Sequence, residues 1–131
     1  TRYSTHLLKT VKSNDFSQVT YNYEPKVLSQ VEMEEENREA VMEGMLMLTT
    51  EGSVSSAFKD VPVSVGAKTG SAQVSSQTNS NAVFVCFAPY DDPQIAIGII
   101  MEHGGKSVYA ANVAKAIMDG YFHPETMPEV E

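Results

Sequence analysis

The sequence predicts an α+β fold in which helices pack on the faces of an antiparallel sheet. Two segments carry apolar residues at helical spacing, and three consecutive segments have the alternating or continuous apolar character of strands. A short turn rich in proline and aspartate separates the last two strands, which makes them antiparallel neighbours. At 131 residues the chain forms at most one domain and is long enough to bury a core.

The first third of the chain carries weak strand signals. Residues 5–11 predict a short strand, and residues 19–31 alternate weakly, with Pro25 interrupting them. The second of these segments therefore predicts an irregular or edge strand.

Residues 34–50 predict the first helix, because Val41, Met45 and Leu48 recur at helical spacing. Gly44 lies in the middle of this helix and predicts a close approach of another backbone. Gly52 is placed to end the helix as a left-handed cap.

Three strands follow, predicted at residues 63–74, 81–90 and 94–103, and residues 89–93 form the turn between the last two. One face of the third strand carries small residues, which predict that a helix lies close against it. These residues, with one larger neighbour, are Ala96, Gly98 and Ile100.

A second helix is predicted from Ser107, its N-cap, to about Phe122. Its predicted apolar stripe is Ala110, Val113, Ala114, Ile117 and Tyr121. Residues 124–131 predict a loose acidic tail that is disordered.

Composition excludes several classes of function. The net charge is −8, with 9 Lys and Arg, so the chain has no electrostatic footprint for nucleic acid and no polybasic segment for an anionic membrane. No apolar run is long enough to cross a bilayer, and residues 1–12 do not form a signal peptide. The spacing of His6, His103 and His123 predicts no metal site, and no motif predicts a cofactor.

The segment that carries chemistry is residues 65–73, which read Val-Gly-Ala-Lys-Thr-Gly-Ser-Ala-Gln. Lys68-Thr69-Gly70 alone is weak evidence, but here Ser71, Ala and Gln follow it. In that context the segment resembles the third active-site motif of the serine acyltransferases that bind penicillin. The likeness extends through the following strands and helix to Phe122 and is nearest to class B penicillin-binding proteins, the cell-wall transpeptidases.

The resemblance implies that residues 1–123 are the C-terminal portion of a transpeptidase domain with a partial penicillin-binding/β-lactamase-like fold. It implies catalytic roles for Lys68 and Ser71, and substrate binding by Lys68, Thr69, Gly70 and Ser71. A cleft lysine attracts the carboxylate of a peptide substrate, and a threonine hydroxyl donates to it. The backbone amide of Ser71 is implied as one of two oxyanion-hole donors.

The family nucleophile lies in Ser-x-x-Lys, at the start of a buried helix far upstream of the lysine motif. Residues 56–59 match that pattern formally, but they lie just before the motif strand, and we interpret the match as chance. The second family motif, Ser-x-Asn, has no match in the chain. We therefore expect the segment itself to lack the nucleophile.

The function implied is that of a peptidoglycan D,D-transpeptidase at the extracytoplasmic face of the bacterial membrane, anchored by a segment outside this chain. The implied partners are stem peptides, β-lactams and the remainder of the transpeptidase domain. A homodimer of the chain is a further expectation, because a missing half of the domain leaves apolar surface exposed. A serine β-lactamase, a β-lactam sensor and a non-catalytic binding module on the same fold are the alternatives.

Overall fold

A computed structural model describes residues 1–123, which fall into two compact units, Thr1–Glu35 and a second that begins at Glu36. The tail predicted at residues 124–131 lies outside the described residues. Within residues 1–123, no helix combines the length and apolar character that a membrane span requires.

The first unit consists of short antiparallel strand pairs. Its strands are β1 (Arg2–Tyr3), β2 (Thr10–Lys12), β3 (Val19–Asn22) and β4 (Val27–Ser29). β1 pairs with β4, and β2 pairs with β3. The strand predicted at residues 5–11 was largely wrong, since only its last two residues lie in β2, whereas Pro25 does separate β3 from β4.

The second unit is built on a three-stranded antiparallel sheet. Its strands are β5 (Gly66–Ala72), β6 (Asn81–Ala88) and β7 (Ile95–Met101), in the order β5-β6-β7. This consecutive antiparallel order confirms the prediction made from the loop and turn between the strands.

Three helices belong to this part of the chain: α1 (Glu35–Thr50), α2 (Ser55–Phe58) and α3 (Ser107–Phe122). α1 and α3 were predicted within a residue of their bounds. α2 was not predicted, because its four residues are too few to show a helical period.

The core lies between α3, α2 and one face of the sheet. Phe84 of β6 and Met118 of α3 are fully buried, and each large apolar side chain removed from water contributes about 1.5–3 kcal/mol. Phe58 of α2 stacks on Phe84 with ring centroids 5.9 Å apart. α3 thereby fixes the sheet from one side.

The face of α3 that packs on the sheet differs from the predicted stripe. The buried residues are Ala110, Ala111, Ala114 and Met118. Val113, Ile117 and Tyr121 are 43%, 43% and 49% exposed, so their prediction as core was wrong. The alanines allow the helix to approach the sheet closely, and this outweighs the larger side chains that the periodicity favoured.

The predicted helix against the small face of β7 was also wrong. Ile97 and Ile99 pack in the core, whereas Gly98 faces the opposite side, with nothing within 4 Å of a Cβ added there. Gly44 likewise has nothing within 4 Å, so it marks no close approach. Small residues permit close packing but do not require it.

α1 ends at Thr50 as predicted, but the left-handed cap predicted at Gly52 was wrong. The N–H groups of Glu51 and Gly52 both donate to the Met47 carbonyl, at 2.9 and 2.8 Å. Among the described glycines only Gly105 has a positive φ. Gly52 is needed because a Cβ there would lie 2.7 Å from the Leu48 carbonyl oxygen.

Candidate active site

The candidate site is built on β5, the strand that carries Lys68, Thr69, Gly70 and Ser71. In the part of the chain that the structure describes, β5 lies at one edge of the sheet and pairs with β6 alone. Its other edge can therefore accept an extended peptide as an additional strand.

The two faces of β5 separate the motif side chains. Thr69 lies opposite Phe84 and Ser71 opposite Ala82, on the face that α3 covers. Lys68 lies opposite Val85, on the other face, because successive residues of a strand alternate. The motif thus presents a cation on one face and two hydroxyls on the other.

Lys68 is exposed, and its Nζ donates to the Thr69 carbonyl oxygen at 2.7 Å. No carboxylate within residues 1–123 forms an ion pair with it. Its positive charge is therefore uncompensated by these residues and can attract an anionic ligand.

Two hydroxyl groups from helices hold this part of the chain, one just before β5 begins and one within it. Thr49 of α1 donates to the Val65 carbonyl at 2.6 Å, in a buried hydrogen bond just before β5 begins. Ser107 of α3 donates to the Gly70 carbonyl at 2.9 Å, in a part-buried one. These bonds fix the motif between two helices.

Open clefts lie on both sides of the strand. One, of about 370 Å³, is lined by Lys68, Thr69 and the apolar side of α1 around Met45. The other, of about 340 Å³, is lined by Thr69, Ser71, Lys106 and Ser107, among others. The motif residues therefore reach two spaces that a ligand can enter.

The formal Ser-x-x-Lys match begins on α2 and ends at Lys59, the residue that follows this helix. Ser56 and Lys59 are both exposed, and α2 has only four residues. The buried residues of this helix are Ala57 and Phe58 instead. A nucleophile activated by a neighbouring lysine needs both groups held together, and this arrangement does not provide that.

Cys86 is the buried thiol beneath the site. It is 3% exposed on the helix-covered face of β6, and burial raises the pKa of its thiol to about 11. The thiolate is the reactive form of cysteine, so this residue is an inert part of the core.

Sequence reasoning missed the role of Ser107. We expected it to cap α3, but the N-cap is Lys106, which makes no side-chain capping bond, and Ser107 bonds β5 instead. A serine at a helix start is an ordinary capping signal, and nothing local in the sequence indicates a partner 37 positions away.

No group of three or more His, Cys, Asp or Glu side chains within residues 1–123 is arranged to hold a metal ion. The groups that β5 itself offers are a lysine, two hydroxyls and backbone amides.

Comparison with known families matches residues 1–119 to the penicillin binding protein transpeptidase domain. Peptidoglycan D,D-transpeptidase MrdA of Haemophilus influenzae is 33% identical over an alignment of 110 positions that covers 71% of this chain and 17% of that protein. Penicillin-binding protein 2A of Bacillus subtilis is 25% identical over an alignment of 148 positions that covers 99% of this chain and 21% of that protein. The chain thus spans about a fifth of the length of these relatives.

Solved structures show the same likeness. Pseudomonas aeruginosa PBP2, in complex with WCK 5153, superposes with a TM-score of 0.68 and 28% identity, over 85% of this chain and 25% of that chain. PBP2 of Helicobacter pylori, in complex with MreC, superposes with a TM-score of 0.66 over 82% of this chain and 21% of that chain. At 21% identity, the second likeness concerns the fold alone.

Proposed function

The chain belongs to the penicillin-binding protein transpeptidase domain family, and from this premise we propose that it supplies the substrate-binding strand of a peptidoglycan D,D-transpeptidase. The observation that carries the proposal is Lys68, a cation without an ion-pair partner among the described residues, on a strand with a free edge. Because the chain covers 17% and 21% of the curated relatives, the activity is proposed for a longer polypeptide that contains it, called the complete protein below.

The substrate of such an enzyme is a peptide that ends in a free carboxylate, which β-lactams imitate. Lys68 attracts this carboxylate and biases proton transfer in the cleft, and the Thr69 hydroxyl donates to it. Gly70 leaves room for the substrate along the strand. A Cβ added to Gly70 would meet only Val83, at 3.4 Å, so internal packing alone does not account for glycine at this position.

The reaction is acyl transfer through a serine ester. The serine oxygen attacks the scissile carbonyl, the Ser71 amide stabilises the oxyanion that forms, and the C–N bond breaks as the leaving amine takes up a proton. An acceptor amine then attacks the ester and releases the serine. We place the nucleophilic serine outside residues 1–131, since Ser56, on a four-residue helix, and Lys59, just after that helix, are both exposed.

The remainder of the transpeptidase domain is the partner that we propose for the uncovered face of the sheet. That face includes Val85 and Ile100, which are 43% and 71% exposed. Apolar side chains exposed together favour a covering element. No finding supports the homodimer expected from the sequence.

We further propose that the complete protein acts on stem peptides at the extracytoplasmic face of the bacterial membrane, anchored by a segment outside this chain, and that it binds β-lactams. The names of the relatives, peptidoglycan D,D-transpeptidase and penicillin-binding protein, support this over a β-lactamase, a sensor or a non-catalytic module.

The test is incubation of the purified complete protein with excess penicillin, followed by intact-mass measurement and peptide mapping. We expect one covalent adduct per molecule, on a serine outside residues 1–131, and no adduct on the 131-residue chain alone. Ser56→Ala, the matched control, retains the adduct. No adduct on the complete protein, or an adduct that maps to Ser56, would contradict the proposal.

A further inference from the structure

The hydrogen bond between Ser107 and Gly70 joins the first residue of α3 to the middle of the motif strand. Ser107 Oγ donates to the Gly70 carbonyl oxygen at 2.9 Å, and the contact is part-buried. A bond shielded from water is stronger electrostatically than one in full solvent, and it fixes the acceptor more firmly.

The carbonyl of Gly70 belongs to the same peptide group as the N–H of Ser71. This peptide is trans, since the Ala88–Pro89 bond is the only cis one within residues 1–123. In a planar trans peptide the carbonyl and the N–H point in opposite directions. A donor on the Gly70 oxygen therefore approaches this peptide group from the side opposite to the Ser71 N–H.

A hydrogen bond accepted by a carbonyl also polarises the attached N–H. Bonds in such a chain strengthen one another by about 10–30% each in condensed-phase estimates. The bond from Ser107 thus makes the Ser71 N–H a better donor and restrains the plane in which it lies. Both effects are useful where donors must be oriented before charge develops.

We propose that Ser107 is a positioning residue for the oxyanion hole and acts through the Gly70–Ser71 peptide. This inference rests on the proposed function, which assigns the Ser71 amide as an oxyanion donor. Ser107 does not touch the substrate in this account. Its effect is on the stability of the transition state and of the acyl carbonyl.

The contact has a weaker structural alternative, in which Ser107 only attaches α3 to the sheet. Four buried side chains already hold α3: Ala110, Ala111, Ala114 and Met118. A single part-buried hydrogen bond adds little to such packing. The two roles can be distinguished, because only the positioning role changes the hydrogen bond that the acyl carbonyl accepts.

The chain offers a matched control at the other end of the same strand. Thr49 also donates from a helix to a carbonyl of this strand segment, that of Val65, at 2.6 Å. Thr49→Val removes a comparable bond without touching the Gly70–Ser71 peptide. Any general loosening of the strand appears in this variant as well.

The experiment compares Ser107→Ala, Ser107→Thr and Thr49→Val in the complete protein. Acylation by penicillin is resolved into the dissociation constant of the first complex and the acylation rate constant. The stretching frequency of the acyl ester carbonyl is read by isotope-edited infrared difference spectroscopy. Thermal unfolding checks that each variant is folded.

For Ser107→Ala we expect the acylation rate constant to fall by about three- to tenfold, less than the 10²–10³-fold loss that follows removal of an oxyanion donor itself. The dissociation constant stays unchanged, and the ester carbonyl shifts to higher frequency. Ser107→Thr restores the rate and the frequency, and Thr49→Val changes neither.

An unchanged carbonyl frequency in Ser107→Ala overturns the inference, as does an equal shift in Thr49→Val. If Ser107→Ala does not fold, Ser107→Cys serves in its place, because a thiol is only a weak hydrogen-bond donor. The acyl ester carbonyl of this variant is also expected to shift to higher frequency. Failure of the unmodified complete protein to acylate contradicts the proposed function instead, so the two failures are distinguishable.

Discussion

The hydroxyl of Thr49 donates a buried hydrogen bond to the carbonyl oxygen of Val65, 2.6 Å away, and so joins α1 to the start of the motif strand. Thr49 is the one buried residue of α1 and is 5% exposed. Leu46 offers a second acceptor at 2.9 Å, so the single proton of the hydroxyl is shared between two carbonyls. The strand is thereby held by a helix that otherwise contributes little buried surface.

Thr49→Val is expected to lower the free energy of unfolding by about 1–3 kcal/mol, because the buried Val65 carbonyl loses this donor. Thermal or denaturant unfolding measures the change. Thr50→Val is the control, since the Thr50 hydroxyl bonds the Leu46 carbonyl in an exposed position and its loss is expected to cost less than about 0.5 kcal/mol. Equal effects of the two variants would contradict the importance of the Thr49 bond.

Gly66→Ala and Gly44→Ala are expected to change stability in opposite directions. A Cβ on Gly66 collides with the ring of Phe87 and costs about 1–3 kcal/mol through displacement of that ring. A Cβ on Gly44 enters open space in the middle of α1, where Ala is favoured over Gly by about 0.5–1 kcal/mol. The unfolding midpoints of both variants show whether each change stabilises or destabilises the protein. A Gly66→Ala variant more stable than the parent would contradict the close packing of Gly66 against Phe87.

Gly70→Ala is expected to separate stability from function. The new Cβ makes an ordinary contact with Val83, at 3.4 Å, so the unfolding midpoint changes little. It also occupies the space that a peptide needs along the strand, so the dissociation constant for penicillin rises by about tenfold or more. Gly66→Ala is the matched comparison, because it is expected to lose more stability than Gly70→Ala. Unchanged penicillin binding in Gly70→Ala would show that substrate does not lie against this residue.

Cys86 gives the protein a pH dependence at the alkaline end. Burial raises the pKa of its thiol from 9.0 to about 11, so the folded state retains a proton that the unfolded state loses. The associated stability is present below about pH 9 and is lost as the pH rises toward about 11. The fall in the unfolding midpoint between pH 8 and pH 10 should be smaller in Cys86→Ala than in the parent. An identical fall in both would exclude the thiol as a cause.

The strand order and both long helices could be predicted from the sequence because their signals are local. The turn at residues 89–93 fixes an antiparallel neighbour, and continuous apolar character marks β6 as central. The face of α3 could not be predicted from period alone. Ala111 and Met118 fit the space above the sheet better than Val113 and Ile117, which is a property of the assembled layers.

Of the candidate site, the motif residues could be proposed from the sequence because Lys68 and its neighbours form a contiguous pattern, and their roles stay a prediction. The two hydroxyls that hold the strand could not. Thr49 and Ser107 look like an ordinary helix residue and an ordinary cap, and their partners lie 16 and 37 positions away. Contacts of this kind arise only when helices and sheet are packed together.

The proposed function requires Lys68 to belong to a cleft that receives the anionic substrate, and the rate of acylation reports on this requirement. The rate constant for acylation of the complete protein by penicillin is compared for Lys68→Ala, Lys68→Arg and Lys59→Ala. Lys59 is the matched control, an exposed lysine just after α2 that belongs to the formal Ser-x-x-Lys match.

We predict that Lys68→Ala lowers this rate constant by about 10²-fold or more, through loss of the charge and of proton transfer. Lys68→Arg keeps the charge but not the compact ammonium, and it gives an intermediate rate. Lys59→Ala leaves the rate unchanged, and all three variants unfold near the parent's midpoint. Equal acylation of Lys68→Ala and the parent, or a loss in Lys59→Ala instead, would contradict the account.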